Sequence, residues 1–306
     1  MILLGSALAA SLSGVVREVD GGALEGVVVT AYDERLAYAS TLTDEEGQWS
    51  LEGLPAGRYR VRAVALGQPY ADRFIPGVWD FCTAEVLPLS EDEELAGLDF
   101  ALPPAGSLTG VVVDALGQPL ADVELSCEGA DGRTGLIQRG AESDEQGAFT
   151  CVGLDASAQG SLYAVSAELP GWPDQYLGGV YRDSDGVEEV QVQLEQVTDI
   201  GDFVLMDGIQ VSGTVLSDGV PVQGAFVHVY SYGQVEDTVS DPQGAYAVDG
   251  LPSGDIVAWA SLDGYGLTYH PDNGVPKTVL AVEEGEHAQG VDILLPVEAA
   301  LTGRIH

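Results

Sequence analysis

Along most of the chain apolar and polar residues alternate with a period of two, in runs of five to nine residues broken by Gly, Pro, Asp and Ser. The runs S-L-S-G-V-V-R-E-V at Ser11–Val19, S-L-T-G-V-V-V-D at Ser107–Asp114 and I-Q-V-S-G-T-V-L at Ile209–Leu216 share one pattern. A period of two places alternate side chains on opposite faces of a pleated strand, so each run predicts a half-buried β-strand. Nothing carries a sustained period of 3.6, and an all-β chain is expected.

The same order of events recurs at intervals of roughly a hundred residues, marked by Gly14, Gly110, Gly213 and Gly303. An opening strand is followed by a turn and a second apolar strand (V-V-V-T-A-Y, V-E-L-S-C, A-F-V-H-V-Y). A hairpin signal comes next: T-D-E-E-G-Q-W, S-D-E-Q-G-A-F and S-D-P-Q-G-A-Y. Asp44, Asp144 and Asp241 are placed to cap a tight turn through their side chains. Gly47, Gly147 and Gly244 are placed to take the positive φ that closes it. Further strands end each interval in G-L-D-F-A-L, I-G-D-F-V-L or G-V-D-I-L-L. About seven short strands per interval, with turn signals between them, predict three tandem Ig-like or prealbumin-like β-sandwiches. The expected boundaries are 11–106, 107–208 and 209–299, joined by short linkers.

Residues 300–306 read as the first strand of a truncated fourth repeat, since L-T-G-R-I-H restarts the opening phrase. Residues 1–10 have two readings. They resemble the tail of a preceding repeat, I-L-L-P-V-E-A-A-L-T-G, and they also fit a clipped signal segment with Ala7-Leu8-Ala9 as a small-residue cleavage site.

The phrase G-x-V-x-D-x-x-G-x-P-L-x-x-V, followed by S-D-x-x-G-x-F/Y and G-L-P-x-G-x-Y, resembles the carboxypeptidase regulatory-like domain. That family has a transthyretin-like or collagen-adhesin B-type sandwich. Gly110–Val123, Thr43–Tyr59 and Ser240–Gly254 carry the likeness best, and Asp155–Gly160 departs from it where L-P-x-G is expected. The resemblance implies a secreted or surface bacterial protein and transfers no catalytic residue. One sandwich of this type serves as spacer, stalk, adhesin or sugar-binding unit, so the fold does not choose among them.

Charge narrows the partners. The chain has 306 residues, 11 basic against 49 acidic, and a net charge of -38. Nucleic acid and anionic membranes require basic surface and are not expected partners. No apolar run is long enough for a spanning helix, so membrane insertion is not expected. Lys277 is the only lysine and Asn273 the only asparagine, so a Lys–Asn crosslink within each repeat is excluded. The four histidines form no metal-binding spacing, and no nucleophile elbow, phosphate loop or dinucleotide fingerprint occurs. An enzyme is therefore not expected, nor a resident cofactor. Calcium is the one ion the sequence nominates, at Asp183, Asp185 and Glu188 beside Gly186, where an acidic hairpin turn explains the same residues.

Aromatic residues supply the other candidate site. Tyr70, Phe74 and Trp79 have counterparts in Trp172, Tyr176 and Tyr181, and in Tyr265 and Tyr269. Rings beside Asp and Arg suit stacking on a sugar, and they also suit covering an open end of each sandwich. Cys127 and Cys151 align with inward positions on two strands of one repeat, where they form either a core disulfide or two buried thiols. The leading expectation is a non-enzymatic structural or adhesin-like region of a larger extracellular or cell-surface protein. Its partners would be other repeats or domains of the same chain, a glycan or a surface protein. The alternative is a set of carbohydrate-binding modules accessory to a secreted hydrolase.

Overall fold

The computed structural model describes residues 10–36, 38–129, 139–156, 160–181, 186–270 and 280–297, which contain strands, turns and bends and no helix. The strands form six sheets. These face each other in three pairs, each enclosing one apolar core: one within residues 10–102, one within 108–205 and one within 209–295. The all-β sandwich expected from the alternation is what the chain adopts.

In the first pair the opening strand Ala10–Glu18 lies at the centre of one sheet. It runs antiparallel to Gln48–Leu54, with Leu12 opposite Leu51. On its other side it runs parallel to Glu94–Leu95 and Phe100–Leu102, with Val16 opposite Phe100. The facing sheet has the order Tyr38–Leu42, Val28–Tyr32, Gly57–Val64, Arg73–Phe74, with Leu87–Leu89 also pairing to Gly57–Val64. Leu12, Val16, Trp49 and Leu51 from one sheet meet Val29, Ala31, Val61 and Ala63 from the other, and all are buried. The other two pairs repeat this plan. Gly106–Val113 sits between Ala148–Leu154 and Val197–Val204, and Ile209–Ser217 between Ala245–Leu251 and Ile293–Leu294.

The hairpin signal folds as its residues require. Asp44 Oδ1 accepts the Gln48 amide at 2.7 Å, Asp144 Oδ1 the Ala148 amide at 2.9 Å and Asp241 Oδ1 the Ala245 amide at 2.8 Å. Gly47, Gly147 and Gly244 have φ of 75°, 74° and 73°. The hydroxyl just before each aspartate has a role the motif alone did not reveal. Thr43 Oγ1 accepts from Val27 N and donates to Leu24 O, and Ser143 and Ser240 make the same two bonds in the other pairs. Each hydroxyl is buried and ties the hairpin to the loop before the second strand.

The glycine that marks each repeat is set by packing. A Cβ at Gly14 would lie 2.2 Å from the Leu98 carbonyl oxygen, and one at Gly213 would lie 2.1 Å from that of Val291. The closing strand crosses the opening strand here. Asp99 Oδ1 accepts the Val15 amide and Asp292 Oδ1 the Thr214 amide, each at 2.9 Å, where the ladder is interrupted. In the first and third pairs the aspartate of the terminal phrase, Asp99 in G-L-D-F and Asp292 in G-V-D-I, therefore satisfies a strand donor.

Candidate interaction surfaces

Consecutive sheet pairs touch through corresponding segments. The preceding pair contributes the segment before its short outer strand, residues 70–74 and 172–176 in the first two cases. The following pair contributes the hairpin between its second and third strands and the end of the strand after the Asp-Gly turn.

At the first junction Arg73 Nη1 donates to Asp155 Oδ2 at 2.9 Å, and Arg73 Nη2 to Asp155 Oδ1 at 3.2 Å. Arg139 donates to the Asp72 carboxylate and to the Tyr70 carbonyl oxygen. Asp72 Oδ2 also accepts from Arg62 Nη2 at 2.7 Å. The side chains of Arg62, Asp72 and Arg139 are only 8%, 13% and 9% exposed, so this group is withdrawn from water. Burial pushes the Asp72 carboxyl above its usual range, against the pull of Arg139 and Arg62, and the same desolvation lowers Arg62. The Arg62 guanidinium lies over the Phe74 ring, 5.2 Å from its centroid, and Arg60 lies over Phe81 at 4.6 Å.

The second junction uses the corresponding segments with different chemistry: Asp174 stands at the Asp72 position, and its partner Gln234 lies two residues before Glu236, the counterpart of Arg139. Gln234 Oε1 accepts the Asp174 amide at 3.1 Å and Gln234 Nε2 donates to the Asp174 carbonyl at 2.7 Å. A single carboxamide thus pairs with a backbone as a neighbouring strand would. The rings of Tyr181 and Tyr232 meet edge to face at 5.9 Å between centroids. Gly250 backs onto Gly171, and a Cβ there would lie 3.0 Å from the Gly171 carbonyl carbon. Around this contact Asp174, Glu168 and Glu236 all have carboxyls raised first by desolvation. Asp174 adds to the rise at both glutamates, with Glu124 joining it at Glu168 and Asp237 and Asp249 at Glu236.

The aromatic segments divide by position. Tyr70, Trp172 and Tyr265 pack against the edges of the three cores. Phe74 is 2% exposed and offers no face to a ligand, whereas Trp79 is 44% exposed. Tyr176 is half-buried beside the Gln175 that caps Met206, and Tyr181 belongs to the second junction. Tyr269 closes a row on the outer face of the third pair. His228 stacks on Trp259 at 5.1 Å, and Trp259 lies 5.8 Å from Tyr269. His228 faces outward from its strand and its Nδ1 is 2.6 Å from Asp237 Oδ1. Trp259 lies inside a strand and outside the recurring aromatic segment, so no sequence signal singles it out.

Asp183 and Asp185 lie outside the described residues. Glu188 lines an open groove with Glu189, Asp199 and Asp202. Among the described residues no three His, Cys, Asp or Glu side chains are grouped to hold a metal ion. Cys127 and Cys151 are fully buried in the second core and joined as a disulfide with Cα atoms 6.7 Å apart, linking the two sheets. Cys82 is free and exposed.

Residues 11–77 match the model of the carboxypeptidase regulatory-like domain. No curated protein matches the chain. Among solved structures the chain is similar to the Bacillus anthracis TIE protein, at 16% identity and a TM-score of 0.27, over 94% of this chain and 50% of that one. It is also similar to GBS52, the minor pilin of Streptococcus agalactiae, at 15% identity and a TM-score of 0.39, over 66% of this chain and all of that one. A streptococcal ancillary pilin aligns at 14% identity and a TM-score of 0.35, over 95% of this chain.

Proposed function

We propose that the chain is a non-enzymatic structural array of three tandem β-sandwich domains, 11–106, 107–208 and 209–299, serving as a spacer or adhesin-like region of a secreted or cell-surface protein. One observation carries this reading. Each sheet pair has its own core, and neighbours are fastened through corresponding segments by dedicated side chains, Asp72 and Arg73 to Arg139 and Asp155, then Asp174 to Gln234. An array with independent cores and small fixed interfaces holds its ends apart. The Cys127–Cys151 disulfide favours an oxidising compartment. The test is a distance distribution between labels in the first and third pairs. A narrow distribution that broadens in Arg73→Ala/Gln234→Ala supports the spacer, and a broad distribution in the unaltered protein refutes it.

A second reading, carbohydrate binding, is favoured by the outer-face row of His228, Trp259 and Tyr269. Stacked rings on an open sheet face suit the apolar face of a sugar. Titration with neutral oligosaccharides tests it. Binding that Trp259→Ala removes, with the melting temperature unchanged, supports the reading.

A further inference from the structure

The closing strand is broken in the first and third sheet pairs and whole in the second. Glu94–Leu95 and Phe100–Leu102 stand apart in the first pair, as do His287–Ala288 and Ile293–Leu294 in the third. In each gap a carboxylate takes a strand amide, Asp99 from Val15 and Asp292 from Thr214. In the second pair Val197–Val204 runs unbroken through eight residues. Gly201, at φ of 69°, takes up a one-residue shift in the register with Gly106–Val113, and Val111 pairs directly with Asp202. Asp202 is the counterpart of Asp99 and Asp292, but its carboxylate accepts no amide from the opening strand. It lines the open groove with Glu188, Glu189 and Asp199 instead.

Val197–Val204 is an edge strand, paired to Gly106–Val113 on one side only. Ser107 N donates to Gln196 O where that ladder begins, and Leu205 N donates to Val113 O where it ends. Alternate residues of a strand bond to alternate sides. With one extra residue at Gly201, Asp199, Asp202 and Val204 therefore turn their N–H and C=O groups away from Gly106–Val113. All three line the groove, and those backbone groups bond to no other described residue. Such an edge is a template for an added strand. A strand added there would set one series of alternate side chains beside Asp199 and Asp202 on the outer face. The other series would turn toward Ile200, Leu177 and Val190, which also line the groove.

We infer that the Val197–Val204 edge receives an extended basic peptide segment of another protein as an added strand, with Lys or Arg at the positions beside Asp199 and Asp202 and apolar residues between them. The unpaired backbone makes the site, and charge selects its occupant. A second copy of this chain would set the same carboxylates against like charge, in molecules that each carry -38. Asp199 and Asp202 thus guard the edge against self-pairing and leave it open to a cationic strand. Backbone bonds would supply the register, and the alternation of cationic and apolar side chains the specificity. The inference goes beyond the spacer reading and does not depend on it. Label distances between the first and third pairs report the spacer separately, so the two can fail independently.

Fluorescence anisotropy of the full chain with a labelled peptide of about ten residues, alternating Lys and Val, tests it, and amide hydrogen exchange locates the contact. Binding should weaken as NaCl rises from about 0.05 M to about 0.5 M. Bound peptide should slow exchange at the Asp199, Asp202 and Val204 amides. It should leave Tyr38–Leu42 and Gln234–Val239, edge strands of the other two pairs, unchanged. Asp202→Lys, at an exposed position, should melt as the unaltered chain does and bind about tenfold more weakly. Val204→Pro removes one outward N–H at the edge and should weaken binding with no change in charge. The same peptide N-methylated at every backbone amide keeps its charge and loses its donors, so it should not bind. No binding at about 1 mM peptide in low salt, equal binding by the N-methylated peptide, or protection that falls on another edge overturns the inference.

Discussion

Gly14, Gly110 and Gly213 hold a position where no Cβ fits, because the closing strand's backbone crosses within 2.1 to 2.9 Å of where it would stand. Gly14→Ala should therefore cost about 1–3 kcal/mol, the range for inserting a methyl into packed surroundings. Urea unfolding measures it, and a loss within error of zero would mean the closing strand moves aside freely. Asp72 is the other residue with a large expected effect. Asp72→Asn leaves Arg62 and Arg139 facing each other without their counter-charge, a change that costs about 3–5 kcal/mol when such a pair is buried. The loss should appear in the melting of the first two sheet pairs and in a broadened label distance across their junction. Both residues are visible in the sequence, but neither cause is. The glycine reads there as part of a phrase and the aspartate as one more acidic residue.

Among the elements, the hairpin shows how much local chemistry specifies. S/T-D-x-x-G predicted a capped turn, and the Asp Oδ1 bonds and positive-φ glycines are in place in all three pairs. The buried hydroxyl ahead of the aspartate was not legible as an anchor, since its partners Leu24, Leu120 and Val222 lie in a separate turn. Ser143→Ala leaves the Val123 amide and the Leu120 carbonyl without that partner, and a loss of about 1–3 kcal/mol is expected in thermal or urea unfolding. Strand existence followed from alternation, but pairing did not. The closing strands run parallel to the opening ones, and a period of two carries no information about direction.

For the whole molecule the controlling quantity is the net charge of -38. Much of it is spread over solvated turns, but Glu168, Asp174 and Glu236 are gathered at the second junction with their carboxyls raised. A carboxyl raised in the folded state binds its proton more tightly there than in the unfolded chain. Stability from these groups is therefore gained as pH falls from neutral toward the carboxylate range and lost as pH rises through it. Glu93, lowered by the Ser90 amide, acts in the opposite sense. A higher melting temperature near pH 5 than near pH 7.5, with the difference shrinking in high salt, is the expected outcome of calorimetry. A melting temperature that falls on acidification would mean the exposed carboxylates outweigh this junction.

The all-β class, the recurrence of one strand-and-turn order, the capped hairpins and the inward placing of Cys127 and Cys151 are all legible along the chain. These depend on side-chain period and on turn chemistry within a few residues. Which strands are neighbours, why the marker glycine is there, and how successive sheet pairs hold each other emerge only in three dimensions. Asp72 and Arg139, or Asp174 and Gln234, are far apart along the chain, and the junctions share segments but not residue types. Strand direction and long-range pairing are settled by which buried surfaces and backbone groups fit one another in space, and no local pattern encodes that.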